Sequence, residues 1–486
     1  MSLFIKKSLD LLLAQSSDSS KGLKRTLGAG SLIALGIGAI IGAGLFVRTA
    51  DAASTAAGPA VVISYIIAGV GCAFAGLCYA EFASMIPIAG SAYAYAYVTM
   101  GEFLAWIIGW ALVLEYALAA ATVSIAWSEY LNKLLTIITG SPLPYEWSHS
   151  PWESMNGATG IMNIPAVFIL LLLTLVLIKG TQESATLNAI IVFIKVSIVL
   201  IVIALGWGFI NEANYTPFTI PADLAGHEGW NRHGWGGVLG GASIVFFAFI
   251  GFDAVSTAAQ EAKNPKRDMP IGILGSLLIC TVLFVLFSHV LTGIANWEEF
   301  KVSGKEASVA YAIDKYMPGY GWLSTLVTIA ILAGFSSVIL VMLMGQSRVF
   351  YSMSKDGLVP PVFAQLHSKF RTPFKSNIIL FVFVSLFGGF VPGSVAGDLT
   401  SFGTLFAFVL VCAGIWVMRR SNPDTPRPFK TPLVPLVPIL GILICSALIF
   451  SLDVRTQMLA FGWLIVGLFV YFLYSKKHSV LRKGNS

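Results

Sequence analysis

The run Gly36-Ile37-Gly38-Ala39-Ile40-Ile41-Gly42-Ala43-Gly44-Leu45-Phe46 decides how this chain is read. It is apolar enough to lie in a bilayer, yet four of its residues are glycine. Each glycine costs ~1 kcal/mol relative to alanine in a helix interior, so an unbroken helix is hard to sustain here. A second stretch, Gly240-Gly241-Ala242-Ser243-Ile244-Val245-Phe246-Phe247-Ala248-Phe249-Ile250-Gly251-Phe252-Asp253, also sets small residues around an apolar centre. A helix broken at mid-membrane exposes backbone N–H and C=O groups, which are tolerated only where they line a cavity. The new helix N-terminus favours an anion, and the freed carbonyls accept from a cation. The small solute that matches both is a zwitterion with its charges on one carbon, an α-amino acid. The competing reading is that the glycines only let helices approach closely. One such stretch would favour packing; two at corresponding positions favour two breaks.

Working outward, the whole chain has 486 residues, 56 % hydrophobic and 11 % charged. A soluble domain is nearer a quarter charged. The mean hydropathy is +0.81. These values exclude a soluble globular protein, a disordered chain and a nucleic-acid-binding protein, and leave a polytopic membrane protein. The net charge of +6 matters less than where the charges fall. Cys72, Cys78, Cys280, Cys412 and Cys445 all sit in apolar runs with no CxxC pair, so neither a disulfide scaffold nor a zinc site is expected. The sequence holds no GxxxxGK[ST], HExxH, GxSxG or TVGYG motif. That weighs against an ATP-driven pump, a protease, a hydrolase and a potassium channel; no enzyme, cofactor or metal is expected.

Stretches long enough to cross a bilayer, at ~20 residues each, lie near 28–48, 58–86, 101–136, 161–179, 184–209, 236–258, 270–293, 320–350, 374–392, 398–418, 433–451 and 456–474. They are continuously apolar rather than alternating, so they read as helices and not barrel strands. The expected fold is an all-α polytopic membrane protein of 12 transmembrane helices. The two glycine-rich stretches each open a group of five helices. Five is odd, so the second group starts from the opposite side, and the pattern is an inverted repeat with broken helices 1 and 6. The first unit spans 28–209 and the second 236–418; helices 11 and 12 occupy 433–474, and the tails are 1–27 and 475–486. The longest loops, 137–160 and 211–235, are too short for a soluble domain. The N-terminus does not read as a signal peptide, because Asp10 interrupts its apolar stretch and the polar segment 15–26 follows. Leu3, Phe4, Ile5, Leu9, Leu12 and Leu13 would share one helix face, with Lys6, Lys7 and Asp10 opposed; a surface helix on the membrane and a frayed tail both fit.

Orientation follows from the positive-inside rule. With the N-terminus inside, 22 of the 30 Lys and Arg residues face the cytoplasm, among them Lys24, Arg25, Lys263, Arg267, Arg419, Arg420 and Lys476. Seven face outward, including Arg48, Lys133 and Arg232, and Lys195 stays within the membrane. Both termini are therefore expected to be cytoplasmic, in a multi-pass protein of the cell (inner or plasma) membrane.

Several segments resemble one known superfamily. They are GIGAIIGAGLF at 36–46, YAEFASMIPIAGSAYAYAY at 79–97 and GFDAVSTAAQEAKNPKRDMPIGI at 251–273. Together they look like the amino acid–polyamine–organocation (APC) superfamily. SRVFYSMSKDGLVP at 347–360 and NPDTPRPFKTPLVP at 422–435 narrow this to the cationic amino acid transporter branch. Twelve helices make the chain similar to the bacterial members of that branch; the animal relatives carry two more. The resemblance covers roughly residues 25–475. It implies a substrate held between broken helices 1 and 6. Carried over by position, the amides of Ala43 and Gly44 would receive the carboxylate, and the Ile40 carbonyl would accept from the ammonium. Carbonyls of Phe247, Ala248 and Ile250 would complete the ammonium site, with the Phe247 ring as the gate over the substrate.

Charged residues inside the membrane carry the rest. Lys195 lies in NAIIVFIKVSIVLIVIALG, ~16 Å along its helix from the cytoplasmic start. A charge at that depth costs at least ~2.5–3.5 kcal/mol on insertion scales. Two roles fit it: a proton carrier, or a structural ammonium that caps carbonyls of helix 1. The resemblance implies the first. Sodium-coupled relatives of this fold hold an ion between helices 1, 5 and 8; here Lys195 would stand in its place, meeting the carbonyl near Gly38 and a hydroxyl of Ser336 or Ser337. Glu115, deep in helix 3, either faces the substrate side chain or is a protonated acid bonded between helices. Asp253 either caps the half-helix after the break or joins a proton path. Glu81 reads as a local structural bond, Glu102 and Glu129 as solvated ends of helix 3, and His289 as a satisfied core residue. Met342 and Met344 of helix 8 would either shape the side-chain pocket or only pack.

The function expected is a secondary carrier that imports an L-amino acid, cationic and/or small neutral, by proton symport through alternating access. The alternative is an amino acid exchanger without obligatory proton coupling, against which Lys195 argues. A channel would want a continuous polar lining, and a sensor would want an output domain; the sequence shows few intramembrane polar residues and short termini. The partners expected are the amino acid, protons and the lipid bilayer, with no nucleic acid. An accessory membrane subunit and the oligomeric state stay open.

Overall fold

The computed structural model describes residues 3–8, 27–86, 91–155, 157–180, 185–223, 229–259, 262–301, 307–370 and 372–484. Each of the twelve apolar stretches holds a helix. These are α1 (Ala29–Ile40), α2 (Val61–Met85), α3 (Glu102–Thr139), α4 (Ile164–Lys179), α5 (Ala185–Gly206) and α6 (Gly234–Val245), then α7 (Pro265–Ile294), α8 (Gly321–Lys355), α9 (Phe374–Phe390), α10 (Gly393–Ser421), α11 (Leu436–Ser451) and α12 (Val454–Val470). Among the described residues, eight helical spans are long and apolar enough to cross a membrane, and four shorter apolar helices, α1, α4, α9 and α11, accompany them. The only described sheet is a two-stranded hairpin, Ser154–Met155 with Ala158–Thr159, in the loop after α3.

The helices sort into two packed groups. α7 runs along α2 and α1, and α6 lies on α2. α8 runs along α3, and α9 packs on α4 and α3. α10 lies against α3, and α11 against α10 and α2. Glycine permits close approach here: a Cβ on Gly272 of α7 would stand 2.6 Å from Cβ of Leu32 on α1. The core is continuous through both groups, while Phe168, Leu171, Leu172 and Leu175 of α4 and Leu443 and Phe450 of α11 are exposed. So broad an apolar exterior is the surface that lipid covers.

Ionisable side chains in the interior are paired with few exceptions. Glu81 of α2 is bidentate to Arg419 of α10 (2.9 Å each) and also accepts the Thr431 N–H at 2.7 Å. Glu102 corrects the sequence reading: it is fully buried rather than solvated, and it takes Arg482 Nε at 2.6 Å. That partner lies 380 residues away, so no local pattern announces it. The N-terminal segment also differs. Residues 3–8 are not helical; they lie along the start of α3, with the N–H groups of Glu102 and Phe103 donating to the carbonyls of Ile5 (2.9 Å) and Leu3 (3.3 Å). Leu9, Asp10, Leu12 and Leu13 lie outside the described residues. All five cysteines are buried and free, as small core residues should be.

Candidate functional site

Two interruptions of helix meet at the centre of the molecule. α1 stops at Ile40; Ile41 is extended (φ −72°, ψ 101°), Gly42 has φ −153° and ψ −149°, and helix resumes over Ala43–Phe46. α6 stops at Val245 and passes into one tighter turn, Phe246–Phe249. Ile250 is then extended (φ −61°, ψ 133°), Gly251 takes φ +112°, and helix resumes at Ala254–Thr257. Only glycine adopts that φ without strain, and Gly251 lies 3.0 Å, measured from a built Cβ, from Ala39 of the other break. Gly44 is the second contact between them, since a Cβ there would stand 2.6 Å from that of Ala248.

A cavity fills the space between the breaks. Ala39, Ile40, Gly42, Ala43 and Gly44 form one wall, and Phe247 and Ile250 a second. Ala119 and Val123 of α3 and Val338 and Met342 of α8 form the rest. Ala43 and Gly44 are the first residues of their short helix, so their N–H groups have no helical acceptor. Ile40 ends α1, which frees its carbonyl from helical bonding. The Phe247 carbonyl accepts the Ile250 N–H at 3.3 Å and keeps a second lone pair. One wall thus carries backbone donors and acceptors, and the opposite wall, from α3 and α8, is wholly apolar.

Of the residues singled out from sequence, Ile40, Ala43, Gly44, Phe247 and Ile250 line this cavity, and Met342 joins them. Ala248 packs on Gly44 instead. Glu115 is not in the wall; Ala119 and Val123, one and two turns further along α3, are. Those two residues and Val338 were missed, although their i+4 spacings from Glu115 and Met342 place them on the same helix faces.

Glu115 belongs to a second, buried layer next to the break in α6. Asp253 and Thr404 are the polar side chains beside its carboxyl group. Asp253 accepts the Tyr116 hydroxyl at 2.6 Å. Asp253 makes no side-chain cap to the following half-helix, so the capping expectation is corrected: Tyr116 claims the carboxylate instead. His289 is half-buried and stacks on Tyr215, with ring centroids 4.9 Å apart.

Lys195 of α5 is 3 % exposed, and its Nζ donates to the Gly38 carbonyl at 2.9 Å. Gly334 of α8 gives the lysine stem its space: a Cβ there would stand 2.9 Å from Cε. Ser336 and Ser337 donate to carbonyls of their own helix, Leu332 and Gly334, each at 2.9 Å. On the other side of the cavity Arg48 is buried, bonded to Asp51 and to Asp398 of α10. Arg48 lines a second cavity with Asp51, Glu129 and Glu153, and Ala43 is common to its wall and the central one.

The chain matches the amino acid permease family model over residues 27–474. It is 43 % identical to the branched-chain amino acid permease BcaP of Bacillus subtilis (strain 168), with 99 % of each chain covered. It is 41 % identical to the methylthioribose transporter of the same organism, over 99 % of this chain and all of that one. A vacuolar cationic amino acid transporter 4 from Arabidopsis thaliana is 31 % identical over 87 % of this chain and 68 % of its own. These relatives are transporters and not enzymes. The chain belongs to the amino acid permease family, within the amino acid–polyamine–organocation superfamily.

Proposed function

We propose that this protein imports neutral L-amino acids with apolar side chains, branched aliphatic ones foremost, by proton symport. The observation that carries the substrate reading is the asymmetry of the central cavity. Backbone groups at Ala43, Gly44 and Ile40 suit the α-carboxylate and α-ammonium, while Ala119, Val123, Val338 and Met342 offer a side chain no polar partner. A cationic side chain would lose its hydration there without compensation. The 43 %-identical relative is a branched-chain amino acid permease, which supports the same class.

The coupling reading rests on Lys195. Its ammonium occupies the junction of α5, α1 and α8, where charging and discharging would alter how α1 is held. The frame for this is twelve membrane-crossing helices, two inverted five-helix units at 28–209 and 236–418, and both termini in the cytoplasm. Alternating access then amounts to the group of α1, α2, α6 and α7 rocking against α3, α4, α8 and α9. The test is uptake of labelled leucine, isoleucine, valine, alanine, arginine, lysine and methylthioribose into proteoliposomes, with and without an inward proton gradient. Saturable uptake of the branched amino acids, stimulated by the gradient, is expected. Uptake that ignores the gradient and requires internal amino acid would make the protein an exchanger; preferred uptake of arginine or methylthioribose would overturn the substrate class.

A further inference from the structure

Glu102 opens α3 on the face that carries both tails, and no part of it reaches solvent. Its carboxylate is nonetheless fully engaged. Arg482 Nε donates to Oε1 at 2.6 Å, and the Tyr471 hydroxyl donates to the same oxygen at 3.0 Å. The Tyr97 hydroxyl donates to Oε2 at 3.1 Å, and the Ser479 hydroxyl bonds that oxygen too. Arg482 and Ser479 both belong to the segment that follows α12. That segment is anchored twice more: the Val480 N–H donates to the Asp356 carbonyl at 3.1 Å, and the Ser475 hydroxyl to the Leu358 carbonyl at 2.6 Å. The Asp356 carboxylate in turn accepts from Lys7 Nζ and from the Tyr93 hydroxyl, each at 2.8 Å.

The short helix Ser91–Thr99, between α2 and α3, stands at the centre of these contacts. Tyr93 and Tyr97 are four residues apart and share one face, held by Asp356 and Glu102 respectively. Tyr95 points the other way. It stacks on Phe82 with ring centroids 5.0 Å apart and meets Tyr79 edge-on at 6.4 Å. Tyr79 touches Phe252 at 5.7 Å and Phe408 at 5.5 Å. Phe252 is two residues beyond Ile250, a wall of the central cavity. One face of this helix therefore closes an aromatic plug between the cavity and the tail face, and the other face is pinned by charged residues.

We infer that the segment Lys476–Gly484 is a built-in latch on the exit toward this face. With Arg482 seated on Glu102, the Ser91–Thr99 helix is held against its plug and the exit is shut. Withdrawal of the segment leaves a buried carboxylate without its cation, which water must then reach. The helix is released and the plug loosens. The inference rests on the transport reading only for what leaves by this route; the latch itself is a packing claim.

The test uses the full-length protein in lipid nanodiscs, comparing wild type with Arg482→Gln, Arg482→Lys and Ser479→Ala. Amide hydrogen exchange is read peptide by peptide and initial uptake rates are measured in parallel. Arg482→Gln should speed exchange across residues 91–99 by about tenfold or more while peptides from α4 and α9 stay unchanged, and should change the uptake rate. Arg482→Lys keeps the charge and should fall between wild type and Gln. Unchanged exchange at 91–99 in a folded Arg482→Gln protein would overturn the latch, as would faster exchange spread evenly through the molecule. Should Arg482→Gln fail to fold, Ser479→Ala must show the same localised effect in weaker form, or the latch is rejected. Faster exchange at 91–99 with no uptake of any amino acid tested would leave the latch standing and remove the proposed function. Faster exchange with unchanged uptake would remove its gating role.

Discussion

The Lys195 ammonium donates to the Gly38 carbonyl at 2.9 Å, tying α5 to the last unbroken turn of α1. In a continuous helix that carbonyl would accept the N–H of Gly42, four residues on. The break at Ile41 and Gly42 withdraws that donor, and Lys195 supplies the replacement. The charge and the glycine break are thus parts of one device, although 157 residues separate them. A methionine at 195 would fill similar volume and donate nothing. Lys195→Met is therefore expected to lose gradient-driven uptake while the folded protein still binds leucine, as measured by tritiated-ligand binding beside proteoliposome uptake. Full proton-driven uptake in the variant would remove Lys195 from the coupling.

The apolar wall makes a prediction about selectivity. Val338 stands 3.3 Å from where a Cβ on Gly42 would lie, so it bounds the cavity tightly against the first break. Methylene-sized changes in such pockets are worth ~1–3 kcal/mol, or about 10–200-fold. Met342→Ala and Val338→Ala should shift preference from valine toward phenylalanine or methionine, read as ratios of kcat/KM in competition uptake. Glu115→Gln should leave the ranking of side chains unaltered, because that carboxyl is not in the wall. A reordered ranking in Glu115→Gln, with gain or loss of arginine uptake, would bring Glu115 back to the substrate.

Much of the fold was legible because its cause is local. A run of apolar residues makes a helix in lipid wherever its neighbours lie, and a cluster of glycines weakens one wherever it falls. Hence both breaks and the helix positions could be read directly. What escaped depends on pairing across the fold. Glu102 looked like a solvated helix start because its cation, Arg482, arrives from the other end of the chain. Arg48 looked like an ordinary outer charge, yet Asp51 and Asp398 hold it in the interior. Asp253 had the sequence position of a cap, but the Tyr116 hydroxyl reached it from another helix. The residues of α3 and α8 that bound the cavity carry no distinctive chemistry; only the crossing of helices assigns them that place.

Glycine at position 44 is required by contact. A Cβ there would stand 2.6 Å from that of Ala248, at the point where the two interrupted helices touch. Gly44→Ala should therefore abolish uptake and lower the thermal midpoint in detergent, since the clash is with backbone as well as side chain. Overpacking of a tight core costs about 1–3 kcal/mol. Gly30→Ala is the matched control: nothing lies within 4 Å of its built Cβ, so stability and uptake should stay close to wild type. Equal effects of the two substitutions would show that the Gly44 contact is not what matters.

Arg48, two residues beyond the resumed turn Ala43–Phe46, bridges to α10 through Asp398 while also holding Asp51. Both carboxylates are largely covered, at 16 % and 14 % side-chain exposure, against 3 % for the arginine. A buried pair adds little net stability when intact, because desolvation offsets most of the attraction, but removing one partner is costly at about 3–5 kcal/mol. Arg48→Ala leaves two acids facing each other without their cation and should destabilise by that order. Asp398→Asn keeps the shape and leaves Asp51 to balance the arginine, so its cost should be well under half as large. Thermal midpoints in detergent for Arg48→Ala, Asp398→Asn and the double variant give the comparison. The double variant should be no worse than Arg48→Ala, because once the arginine is gone neutralising Asp398 relieves repulsion from Asp51. If the two losses simply add, the three side chains do not act as one clamp between α10 and the first helix.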